Sequence, residues 1–82
     1  MSPAVMDGGA AWAAGWIVLA GLLRARSWRI DLFWNGSGAC YTARLVDRVG
    51  RLMPPEDEGE ILVGAAATPT DALLALAREA AS

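Results

Sequence analysis

The chain has 82 residues, a formal net charge of −2, and 55% hydrophobic against 20% charged residues, with neither histidine nor lysine. That composition excludes the disordered class, and the length suits one small domain burying about 60 to 65% of the surface its unfolded chain exposes. Residues 1–82 are therefore read as a single domain, with disordered ends expected at about 1–7 and 81–82.

The first element is the run Ala10 to Leu23, AAWAAGWIVLAGLL, apolar throughout. As a helix it spans about 21 Å, short of the roughly 30 Å hydrocarbon core of a bilayer, so it reads as a buried helix and not a membrane span. Asp7 precedes it, whereas Arg24 and Arg26 follow. This order is wrong for a secretory signal and right for a helix whose dipole favours acid at the start and base at the end. Trp12, Trp16, Leu19 and Leu23 form one stripe and are expected to face the core. Ile17, Val18 and Leu22 widen that stripe beyond what one sheet face covers; burial in the chain's own core is the preferred reading, and burial of part of the helix against a partner or a second copy, a homodimer being one form, is the alternative.

Trp28 to Trp34, WRIDLFW, alternates cleanly and predicts a strand with Trp28, Ile30, Leu32 and Trp34 on the core face. Asn35-Gly36-Ser37-Gly38 supplies a turn, and Ala39 to Val46 predicts a second strand with Ala39, Tyr41, Ala43 and Leu45 inward. A loop of two or four residues pairs even positions of the first strand with odd positions of the second, so both apolar sets share a face. Phe33 is the apolar exception on the other face. Together with Asp31 it is a candidate partner contact, against the plainer reading of an ordinary surface aromatic.

Gly50 and Pro54-Pro55 interrupt the chain before a block of four carboxylates, Glu56, Asp57, Glu58 and Glu60. Glu60 to Ala66 then predicts a third strand, and Thr68-Pro69-Thr70-Asp71 a helix start, with Thr68 as cap and Pro69 at the first helical position. Ala72, Leu73, Leu76, Ala77 and Ala80 make its buried stripe. The expected fold is α+β: a three-stranded antiparallel sheet with an N-terminal and a C-terminal helix packed on one face, in the order α-β-β-β-α.

The chemistry these residues offer is binding and not catalysis. Histidine is absent, and the acidic residues fall in one loop instead of on two walls of a cleft, so no catalytic residue and no cofactor is expected. The single cysteine, Cys40, fits neither an intrachain disulfide nor a zinc site, and the acidic block lacks the alternating ligands of a calcium loop; no metal is expected. A free cysteine suits a reducing cytoplasm. Arg24, Arg26, Arg29, Arg44, Arg48 and Arg51 are scattered beside the acidic block, so direct nucleic-acid binding is not expected either.

Taken together, the WRIDLFW strand, the Asn35 to Gly38 turn, the acidic loop and the final helix Thr68-Pro69-Thr70-Asp71-Ala72 onward resemble small phage-encoded inhibitors of bacterial immunity, in particular anti-CRISPR proteins of the type I group. The resemblance implies binding to a CRISPR surveillance complex in the host cytoplasm and exclusion of target DNA. Glu56, Asp57, Glu58 and Glu60 would then occupy a cationic, DNA-binding protein surface as a partial phosphate mimic. The hairpin, third strand and TPTDA helix are also similar to antitoxin domains of the β-β-β-α kind, in which the apolar first helix would pack on a toxin. A phage structural or assembly protein would use the same helix in a lattice.

Overall fold

The computed structural model describes residues 3–81, and the side chains of 12–81. Helix α1 (Pro3–Arg26) is followed by strands β1 (Arg29–Asn35) and β2 (Cys40–Val46), a single 3-10 turn (Glu56–Glu58), strand β3 (Val63–Ala66) and helix α2 (Pro69–Ala81). The sheet is antiparallel in the order β1-β2-β3. The α-β-β-β-α order read from the sequence is the observed fold.

The hairpin follows the parity argument. Asn35 pairs with Cys40, leaving a four-residue loop, and Ile30, Leu32 and Trp34 lie opposite Leu45, Ala43 and Tyr41. The Asn35 side-chain oxygen accepts hydrogen bonds from the amides of Ser37 and Gly38, at 3.1 and 3.4 Å, and holds the turn. The turn runs one residue later than expected, through Ala39, which adopts a left-handed φ of 50° and so leaves the strand that was expected to begin there.

Packing is layered. α2 lies directly on β2 and β3, and α1 packs along α2, on the same side of the sheet. Two glycines permit this. A Cβ on Gly64 of β3 would lie 2.6 Å from the Ala72 carbonyl oxygen, and one on Gly15 of α1 would collide with the Ala77 carbonyl. Helix α2 starts as the sequence predicts, with the Thr68 hydroxyl accepting from the Asp71 amide at 3.1 Å, and buries Ala72, Leu76 and Ala77. The core joins these to Leu19, Trp28, Ala43, Leu45 and Met53.

Some expectations are corrected. Leu32 was expected in the core but is 39% exposed, and Trp34 is 55% exposed, because α2 covers β2 and β3 and leaves the edge strand β1 largely uncovered. Their register is right and their cover is missing. Trp16 was placed on the buried stripe but is exposed, since the line of α1 that meets α2 runs through Gly15 and Leu19. β3 begins at Val63 instead of Glu60. α1 begins at Pro3, ahead of Ala10, and the side chain of Asp7 lies outside the described residues.

Candidate functional site

The acidic loop is closed at its neck by backbone pairing. The Met53 amide donates to the Leu45 carbonyl at 2.8 Å, and the Leu62 amide donates to the Met53 carbonyl at 3.0 Å. Within the loop the Glu58 amide donates to the Pro55 carbonyl, giving the 3-10 turn that carries Glu56, Asp57 and Glu58. Two prolines at the entry limit the backbone freedom ahead of that turn.

A clamp then fixes the loop to the helix layer. Both terminal nitrogens of Arg26, the last residue of α1, donate to the Glu58 carboxylate, at 2.6 and 2.9 Å. The guanidinium lies 4.5 Å from the centre of the Trp28 ring, so a planar cation is held between an aromatic face and a fork of acceptors. Hydrogen bonding to Arg26 holds the Glu58 carboxyl below the usual carboxylate range. Glu56, Asp57 and Glu60 make no side-chain hydrogen bond or ion pair among the described residues and are exposed.

Asp31 and Phe33 do not join this loop. Their strand parity puts them on the sheet face away from the helices, whereas Arg26 and Glu58 meet at the helix layer. On that outer face Arg44 donates to Asp31 at 2.9 Å and lies 4.6 Å from the centre of the Phe33 ring. Asp31 is thus committed to a neighbour, and Phe33 is half-covered by a guanidinium. Sequence spacing gave no sign of the Arg26 contact, because Arg26 and Glu58 are 32 positions apart, whereas the hairpin parity places Asp31 and Arg44 on one face and the observed register sets them directly opposite.

The second feature is the outward face of α1. Ile17 is 73% exposed, Val18 44% and Trp16 38%, and Ala13, Ala14, Ala20 and Gly21 are exposed with them. Trp16 stacks on Trp12 with ring centres 5.9 Å apart, giving that face a rigid aromatic edge. No charged residue occurs from Ala10 to Leu23, so this is a neutral apolar surface ending at Arg24 and the clamped acidic loop. Among the described residues no helix is long and apolar enough to cross a membrane. No protein-family model matches the chain, and neither a curated protein nor a solved structure matches it.

Proposed function

We propose that the chain is a protein-binding domain whose docking surface is the outward face of α1, with the acidic loop as its charged rim. The observation that carries this reading is the exposure of three consecutive large apolar residues, Trp16, Ile17 and Val18, in a helix with no charge on that stretch. Clustered apolar surface of this kind, bordered by charge, is how soluble proteins present binding sites. The partner it suits is a protein with an apolar groove, the arrangement of an antitoxin-like domain on its toxin. Co-expression with the product of the adjacent gene tests it: a stable complex that Ile17→Glu abolishes, without loss of fold, supports the reading, and a complex indifferent to that change refutes it.

A second reading rests on the loop. Three exposed carboxylates without a side-chain hydrogen bond or ion pair among the described residues, Glu56 and Asp57 on the clamped turn and Glu60 just after it, suit a cationic protein surface, as an inhibitor of a type I CRISPR surveillance complex would need. Its test is target-DNA binding by purified surveillance complex, with and without this protein, at low and high salt. Inhibition that fades with salt supports it; full DNA binding in the presence of excess protein removes it for that complex.

A further inference from the structure

β1 is an edge strand of seven residues, and the direction of its unpaired groups follows from hydrogen bonds on the far side of β2. The Leu45 amide donates to the Leu62 carbonyl at 3.1 Å, and the Leu45 carbonyl accepts from the Met53 amide. Leu45 therefore points its polar backbone away from β1. Polar groups alternate in direction along a strand, so Thr42, Arg44 and Val46 point theirs at β1, toward Phe33, Asp31 and Arg29. It follows that Ile30, Leu32 and Trp34 direct their N–H and C=O groups outward, at the free edge.

The same residues carry the uncovered apolar side chains of the sheet's helix side, Leu32 and Trp34. The strand's only charged residues, Arg29 and Asp31, direct their backbone groups at β2; no proline or lysine interrupts the edge, and no described strand lies beyond it. Apolar side chains and unpaired backbone groups on one strand are the template for strand addition.

We infer that the occupant is β1 of a second copy of this chain, paired antiparallel with Leu32 opposite Leu32 across a two-fold axis. This register makes the edge self-complementary. Leu32 pairs with Leu32 of the second copy, Ile30 with its Trp34, and Trp34 with its Ile30, so every outward N–H and C=O of the three residues gains a partner. Leu32 and Trp34 then lie beside apolar neighbours instead of water. On the outer face Arg29 falls opposite Asn35 and Asp31 opposite Phe33, with no like charges directly opposed.

The alternatives are worse. Sliding by one residue mismatches the outward groups and reverses the faces. Sliding by two in one direction sets Asp31 against Asp31, a like-charge pair at close range, and in the other direction leaves Ile30 opposite Gly36, beyond the strand. The paired register joins two three-stranded sheets into one continuous sheet, and it is independent of what binds the α1 face.

Mass measurement in solution together with amide exchange tests the inference. The purified protein is expected at twice its 8.6 kDa chain mass. The Ile30, Leu32 and Trp34 amides are expected to exchange slowly at about 1 mM chain and to lose their protection at about 1 µM, while Thr42, bonded within the protomer, stays protected at both concentrations. Leu32→Pro removes an outward N–H and no bond of the protomer's own sheet, so it is expected to give a folded monomer. A wild-type monomer at about 1 mM, with those three amides exchanging at the same rate at both concentrations, overturns the inference. So does a folded Leu32→Pro variant that still has the dimer mass. If that variant fails to fold, the dilution response of the three wild-type amides decides.

Discussion

Gly15 of α1 rests on the carbonyl of Ala77 in α2 so closely that a Cβ at residue 15 would collide with it. The two helices therefore meet backbone to backbone, and this one contact sets how α1 lies on the domain. Gly21, six residues on and on another side of the helix, has nothing within 4 Å of where its Cβ would be. Alanine at Gly21 is expected to stabilise the protein by up to about 1 kcal/mol, from helix propensity and lost freedom in the unfolded chain. The same change at Gly15 is expected to lower stability despite that gain, because backbone and not a flexible side chain occupies the space. Thermal or urea unfolding of the two variants reads opposite signs.

That contact explains which parts of the fold are legible in the sequence. The hairpin is legible because strand alternation has a period of two and the loop parity locks the two apolar sets together. The start of α2 is legible because Thr68, Pro69 and Asp71 each answer a local need of a helix terminus. The orientation of α1 is legible in part: Trp12, Leu19 and Leu23 of the expected stripe pack on the core, but Trp16 does not, because the line of contact passes through Gly15, a glycine flanked by larger, more suggestive side chains. Trp16 looked like core for that reason. The acidic loop was visible as composition, but its clamp was not, because nothing local links Arg26 to Glu58.

Core and edge leucines are expected to differ. Leu76→Ala empties a fully buried site shared by α2, β2 and β3 and is expected to cost about 2 to 5 kcal/mol. Leu32, on the correct face but 39% exposed, leaves a smaller void, and its replacement by alanine is expected to cost about 1 kcal/mol in the protomer. Denaturant midpoints of the two variants, measured dilute enough to keep the chain monomeric, check the order, and equal losses there would mean that β1 is covered within the protomer.

Acid stability carries the signature of the clamp. Glu58 is held below the usual carboxylate range first by its hydrogen bond to Arg26, and Asp47 is lowered first by the Arg51 amide, with Val49 adding to it. A lowered carboxylate stabilises the fold above its unfolded-state pKa, and the contribution is lost as pH falls through the lower folded value. Stability is therefore expected to decline on the acid side of the ordinary carboxylate range. Glu58→Gln removes part of that slope and leaves stability near neutral pH slightly lower; adding Arg26→Gln removes no more of the acid slope, because the pair is already broken, but lowers stability at every pH through loss of the Trp28 contact. Melting temperature against pH for the three proteins checks this.

The charge of the loop is separable from its clamp, which dictates how the binding surfaces are told apart. Reversing Glu58 releases Arg26 and disturbs α1 as well as the loop, so it confounds structure with charge. Reversing Glu56, Asp57 and Glu60 to lysine changes exposed carboxylates that make no side-chain hydrogen bond or ion pair among the described residues, of which Asp57 alone lends its charge to Arg26, and is expected to lower the melting temperature only slightly. If α1 is the docking surface and the loop its rim, this triple variant slows association about ten-fold at low salt and less at high salt, with dissociation little altered, whereas Ile17→Glu speeds dissociation. Surface plasmon resonance against the partner that co-purifies separates the two effects. A triple reversal that abolishes binding while Ile17→Glu preserves it would make the loop the primary contact and favour the inhibitor reading.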